Sequence, residues 1–295
     1  MMKCGTVAIM GRPNVGKSTL LNTVMNMKLA ITTDKAGTTR NIIEGIYQDK
    51  EAQIIFIDTP GIHKPTHKLG NLLNRKAYQN IDSADIILFL IDGEKGFGKG
   101  DQFVLKKIEE NPEAHLFLLI NKIDKMKKEQ LIKMIDQVKE VRSFDEIIPI
   151  SALKRQAVDD LISTIKKYLP VQEAIFSASD LTNVSTRFLM AEFVREKAMM
   201  LTREEVPHAI TCYVENYEEE ENLVHIQVLL VVDRENLKKI LIGKQGAMMK
   251  KIGTMARRDM EDFLGKKVFL ELHVTVMEKR RDQEKLLKEL GFEDE

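Results

Sequence analysis

Short apolar runs alternate with amphipathic stretches through the first half of the chain. Residues 6–10, 54–57, 86–91, 116–120 and 147–150 are apolar runs of strand length and predict strands buried on both faces. Between them, residues 18–27, 69–81, 101–110, 128–141 and 158–168 repeat apolar positions every three or four residues, which predicts helices. Such alternation predicts an α/β fold with a doubly wound, mostly parallel sheet. A sheet of that kind binds its ligand outside the carboxyl ends of its strands. The pattern changes after Leu169-Pro170, where residues 171–183 form a mixed polar connector. Residues 186–201 then predict a helix, and 209–217 and 223–232 predict strands around an acidic turn at 218–221. Helical stretches at 234–241 and 247–264 flank a glycine-bounded turn, and a strand at 267–276 precedes a charged, helical tail at 279–290. The expected organisation is a nucleotide domain over residues 3–170 and a connector with a leading helix over 171–200. A smaller α+β domain over 201–278 and a charged helix over 279–295 complete it.

Length allows two domains with sizeable cores: the chain has 295 residues. Its 45 Lys and Arg balance its 45 Asp and Glu, so a nucleic-acid partner would have to be met by a local cluster rather than a global field. The two cysteines, Cys4 and Cys212, lack metal-ligand spacing and suit a reducing compartment. The longest apolar runs are far below the roughly 20 residues of a membrane span. The first motif starts at residue 11, so no signal peptide is expected and a cytoplasmic site of action is.

Gly11-Arg12-Pro13-Asn14-Val15-Gly16-Lys17-Ser18 fits the phosphate-cradling pattern G-x-x-x-x-G-K-[ST] and sits between a predicted strand and a predicted helix that opens with Thr19. Glycines let consecutive N–H groups turn inward on an anion, Lys17 supplies a charge near the β- and γ-phosphates, and the Ser18 hydroxyl suits Mg²⁺. Asp58-Thr59-Pro60-Gly61 follows the next strand: the acid can hold Mg²⁺ through water, and the Gly61 N–H can meet the γ-phosphate. Asn121-Lys122-Ile123-Asp124 chooses the base. The Asp124 carboxylate can accept from the N1–H and 2-amino group of guanine, donors that adenine lacks, while Lys122 covers the base and Asn121 ties the loop to the phosphate loop. Ser151-Ala152 can offer an N–H to the guanine O6. In the loop Ala36-Gly37-Thr38-Thr39-Arg40-Asn41, a threonine can close on Mg²⁺ when the γ-phosphate is present; Thr39 is expected and Thr38 is the alternative. The expected ligand is GTP or GDP with Mg²⁺, and Lys17, Thr39 and Gly61 carry the chemistry. Ile62 stands where many such enzymes use a Gln to orient the attacking water, so intrinsic hydrolysis is expected to be slow or to depend on another group.

Ile242-Gly243-Lys244-Gln245-Gly246 is the second constellation. A G-x-x-G turn between helices is how KH modules clamp about four nucleotides of single-stranded nucleic acid. From Arg234 to Lys267 ten basic residues face four acidic ones, a net of +6 in a neutral chain. Lys250, Lys251 and Arg257 follow the turn, and a cluster of this kind suits phosphate contacts and salt-sensitive binding.

The four nucleotide motifs in this order resemble the translation-factor-like GTPases. G-R-P-N-V-G-K-S, T-T-R, D-T-P-G-I-H, N-K-I-D and S-A-L followed by a type II KH arrangement resemble the Era family over nearly the whole chain. That resemblance implies a P-loop GTPase domain followed by a type II KH domain. It also implies binding to the 3′ region of 16S rRNA, assistance to rRNA processing and 30S subunit assembly, a monomer, and association with the inner face of the membrane. In the potassium-activated GTPases that the phosphate loop resembles, an Asn at the Asn14 position helps hold K⁺, which implies the same for Asn14. The alternative function is a regulatory signalling GTPase whose second domain binds a protein or a membrane surface.

Overall fold

A computed structural model describes residues 1–35, 37–61, 84–109 and 113–277. The expected helices at 69–81 and 279–295 lie outside these residues, as do Ile62 and Ala36. The chain divides into two compact units. One comprises Met1–Ala30 with Thr39–Asn183, and the other Ile31–Thr38 with Val184–Glu295.

In the first unit, β1 (Met2–Gly11) lies between β3 (Ala52–Asp58) and β4 (Ile86–Asp92), parallel to both. β5 (His115–Asn121) and β6 (Glu146–Pro149) extend the sheet in parallel, and β2 (Ile43–Gln48) closes its other side antiparallel to β3. The order is β2-β3-β1-β4-β5-β6. β3 and β4 are buried along their whole length, which explains their unbroken apolar runs. Helices α1 (Lys17–Met25), α2 (Lys99–Ile108), α3 (Lys128–Val141) and α4 (Val158–Tyr168) connect the strands. Strand β2 was not among the expected elements. Its Gly45 interrupts the apolar alternation and lies close under α1, where an added Cβ would stand 2.7 Å from Leu21 Cδ1.

The expected boundary at residue 170 differs from this division. A two-residue strand β7 (Val171–Gln172) pairs antiparallel with the start of β1. Gln53, fully buried on β3, then holds the connector: its Oε1 accepts the N–H groups of Ile175 and Phe176 at 2.8 and 2.9 Å, and its Nε2 donates to the Phe176 carbonyl at 2.8 Å. These bonds keep the segment up to Asn183 with the first unit.

The second unit has a three-stranded sheet among the described residues, β10 (Lys267–Val276) parallel to β9 (Leu223–Val232) and β8 (Thr211–Glu219) antiparallel to it. The parallel pair requires a crossover, supplied by α7 (Glu235–Ile242), the glycine turn and α8 (Ala247–Leu264). Helix α5 (Thr186–Leu201), capped by the Ser185 hydroxyl, packs on α8 through a T-shaped Phe193–Phe263 pair; a short turn of helix, α6 (Val206–Ala209), leads into β8. Charges on α5 are buried in pairs: Arg195 is 2% exposed and forks onto Glu192 with two bonds of 2.6 Å. The segment Ile31–Thr38 belongs to this unit because α5 satisfies its backbone. Arg195 donates to the Thr38 carbonyl at 2.5 Å, and Glu196 accepts the Thr32 N–H at 2.8 Å.

Candidate functional site

The parallel register sets Asp58 opposite Ile9, so the chain ends of β1 and β3 emerge together. The phosphate loop leaves β1 and enters α1 at Gly16, whose φ of 105° favours glycine; a Cβ there would run into the Asn121 amide. Lys17 is 6% exposed and its Nζ donates to the carbonyls of Gly11 and Arg12, both at 3.1 Å, which folds the ammonium into the loop. Burial lowers its pKa to about 8 against the attraction of Asp58. Pro13, Val15 and Thr19 complete the turn, with Val15 buried and its carbonyl accepting from Asn121. Arg12 is held outside the turn by Asp101 at the start of α2, 2.7 Å away.

Ser18, Thr39 and Asp58 converge. The Ser18 hydroxyl donates to Asp58 Oδ2 at 2.6 Å and lies 2.9 Å from the Thr39 hydroxyl. Asp58 is fully buried, and its Oδ1 has no hydrogen-bond partner among the described residues. Burial pushes its carboxyl up to about 6, against the Lys17 ammonium and the Ser18 and Thr39 hydroxyls that favour the anion. A buried carboxylate oxygen with no partner beside two hydroxyls fits a hard divalent cation with oxygen ligands. Of the two threonines, Thr39 is the one at this point. The Thr38 hydroxyl bonds instead to Thr33 at 2.7 Å and to the Lys35 carbonyl at 2.8 Å. Gly61 lies against the loop: a Cβ on it would stand 2.9 Å from Pro13 Cα.

The base loop follows β5. Asn121 Nδ2 donates to the Val15 carbonyl at 2.8 Å and its Oδ1 accepts the Ala152 N–H at 2.9 Å, joining three loops through one amide. Ser151 donates to Asp124 Oδ1 at 2.5 Å and so aims the carboxylate. Lys122 takes a left-handed conformation, φ 68°, and its Nζ bonds to the Asn14 carbonyl at 2.8 Å and to Asp92 Oδ2 at 2.7 Å. Asp92, 1% exposed at the end of β4, was not anticipated; an acid closing a buried strand beside the others is the signal that marks it.

In the second unit the turn between α7 and α8 has Gly243 at φ 71°, ψ 177° and Gly246 at φ 76°, with exposed Lys244 and Gln245 between them. Lys250 and Arg257, two turns apart on α8, line a cavity of about 310 Å³ with Met249, Gly253, Thr254, Leu270 and Leu272. Ile242 ends α7, half-exposed beside the turn. Lys251 is exposed on α8 outside the cavity. An apolar floor with cationic rims suits a base over the floor and phosphates at the rim.

Residues 6–122 match the family described as 50S ribosome-binding GTPase, and residues 205–281 match the KH domain. The chain is 43% identical over 295 residues to the GTPase Era of Leuconostoc citreum, covering 99% of this chain and 97% of that protein. It is similar to Era in complex with MgGDPNP and nucleotides 1506–1542 of 16S ribosomal RNA, with TM-score 0.94 and 42% identity, over 99% of both chains. A single-residue variant of Aquifex aeolicus Era bound to GDP.AlF4- gives TM-score 0.94 and 43% identity, again over 99% of both. With one relative alike along its entire length and both modules matched in order, the chain belongs to the Era family of GTPases.

Proposed function

We propose that this protein is a GTP-hydrolysing switch that binds the 3′ region of 16S rRNA through its KH domain and assists rRNA processing and assembly of the 30S subunit. The observation that carries the reading is the likeness over 99% of both chains to an Era that holds MgGDPNP and a 16S rRNA fragment together. Gly11 to Thr19 hold the phosphates, Asp124, Lys122, Asn121, Ser151 and Ala152 hold guanine, and Ile62, next after Gly61 in the sequence and outside the described residues, is counted with the nucleotide site on its position alone. Ser18, Thr39 and Asp58 would hold Mg²⁺, which supplies charge neutralisation on the phosphates. Lys17 adds a second positive charge, and the Gly61 N–H orients the terminal phosphate. RNA contacts come from Ile242, Gly243, Lys244, Gln245 and Gly246, with Lys250, Lys251 and Arg257 on the phosphates.

Nucleotide state is read out as a difference in RNA affinity, because a ligand shifts an equilibrium only by its differential affinity for the two states. Thr38 is held by Arg195 within the second unit, and Thr39 stands beside Ser18 within the first. Asn14 is a candidate ligand for K⁺, whose charge would serve as an arginine finger does. GTPase rates that are higher in potassium than in sodium chloride support this role, and equal rates remove it. The protein works as a monomer in the cytoplasm, with a secondary association at the inner membrane face. No helix among the described residues is long and apolar enough to cross a membrane. Crosslinking the protein to RNA in cells and sequencing the bound fragments tests the whole reading. Recovery of the 3′ end of small-subunit rRNA is expected, and a spread of unrelated RNAs would refute it.

A further inference from the structure

We propose that Asp92 is a positioning residue of the guanine-nucleotide site, acting through Lys122; the inference rests on the base-pocket reading above. The Asp92 carboxylate is buried, and both of its oxygens are used. Oδ1 accepts the N–H groups of Glu94 and Lys95 at 3.0 and 3.3 Å, which fixes the carboxylate to its own turn. Oδ2 is left to point at the base loop, where it receives the Lys122 ammonium at 2.7 Å. The same ammonium reaches the Asn14 carbonyl at 2.8 Å, so the head of Lys122 is held between the end of β4 and the phosphate loop. Its backbone is held as well, by the left-handed turn at φ 68° and by the ladder that sets Asp92 opposite Asn121.

A lysine stem is flexible, and covering a base would ordinarily cost the freedom of several torsions. With both ends tied, that freedom is already lost before the nucleotide arrives, which leaves more of the contact energy for binding. The Asp92 carboxylate is taken up by the Glu94 and Lys95 N–H groups and the Lys122 ammonium, none of them a group assigned to the phosphates. Its effect therefore falls on the part of the nucleotide that GDP and GTP share. A carboxylate that merely closed its own turn would need only the Glu94 and Lys95 N–H groups, and its loss would not be felt through Lys122.

The test compares full-length wild type with Asp92→Asn, Lys122→Met and the double variant, using fluorescent GDP and a slowly hydrolysed fluorescent GTP analogue together with steady-state GTPase kinetics. Methionine keeps an unbranched stem and removes the charge that Asp92 holds. In Asp92→Asn, loss of one charge-assisted hydrogen bond is expected to raise Kd for both nucleotides by the same factor, about tenfold, and Lys122→Met, which gives up the Asn14 carbonyl as well, should weaken binding at least as much. In Asp92→Asn, KM should rise with Kd while kcat stays within about twofold, since an interaction equal in ground and transition states leaves kcat alone. The double variant should be no weaker than either single one. An unchanged Kd, a kcat that falls in step with Kd, or single effects that multiply in the double variant would each overturn the proposal. Where a single variant leaves one buried charge alone and does not fold, the double variant decides: unchanged affinity overturns the inference. Asp124→Asn in the otherwise native chain should turn preference from guanine to xanthine nucleotides. If it does not, the base-pocket reading has failed; if it does and the cycle is multiplicative, only the role of Asp92 has.

Discussion

Substituting the two glycines of the turn at residues 243–246 should have unequal consequences. Gly243 sits at φ 71°, ψ 177°, a combination open essentially to glycine alone, and holding another residue there costs about 1–3 kcal/mol. An added Cβ would also stand 2.8 Å from Met248 Cβ and 3.0 Å from the Met248 nitrogen. Both atoms are fixed by the first turn of α8, so relief needs a shift of the turn, and overpacking of this kind adds about 1–3 kcal/mol. Gly246 is left-handed at φ 76°, ψ 9°, and a Cβ there meets nothing within 4 Å. Asn tolerates that conformation. Gly243→Ala should therefore displace the turn and lower RNA affinity by about tenfold or more, taking about 1.4 kcal/mol of the strain as lost binding. Gly246→Asn should stay within about threefold of wild type, a change below about 1 kcal/mol. Fluorescence anisotropy with an oligonucleotide from the 3′ end of 16S rRNA at fixed salt measures both, and nucleotide binding in the same samples reports that the first unit is folded. Gly243→Ala binding as wild type, or Gly246→Asn losing as much, would refute the steric argument.

Arg195→Met leaves Glu192 and the Thr38 carbonyl without their guanidinium and should destabilise the protein by about 3–5 kcal/mol, read from urea midpoints, whereas adding Glu192→Leu should recover much of the loss. The Asp49 carboxyl gives a pH signature. Burial works against its ionisation, but hydrogen bonds from Lys166, the Glu51 N–H, the Tyr47 hydroxyl and the Ala52 N–H outweigh it and hold the pKa at about 2, below the ordinary 3.8. A depressed carboxyl contributes stability that is complete above its unfolded value and is lost as pH falls through the folded one. The stability difference between wild type and Asp49→Asn should thus shrink as pH drops from about 4 to about 2, and a difference that is flat over that window would contradict the assignment.

Much of the site was legible because its parts are contiguous. The phosphate loop, the Asp58 and Asn121 loops and the Gly243 turn are each set by a few adjacent residue types, and each follows an element whose periodicity is plain. Less local features were not legible. Gly45 hid β2, since its reason is Leu21 on α1 rather than any neighbour in sequence. Gln53 looks like a polar lapse in an apolar strand until its bonds to residues 175 and 176 are seen. Thr38 and Thr39 are chemically identical and adjacent, so only the direction each hydroxyl takes separates them.

The amino-acid sequence by itself determined the order of elements, the nucleotide motifs and the basic turn, because backbone conformation and periodicity are local properties of the chain. Tertiary structure alone decided that Ile31–Thr38 is held by Arg195 and Glu196 in the second unit, that Thr39 stands beside Ser18 and Asp58, and that Asp92 holds Lys122. These pairings join residues tens of positions apart. They form because burial strands a charge, a carbonyl or an N–H away from water, and whichever distant group the packing brings within reach becomes its partner.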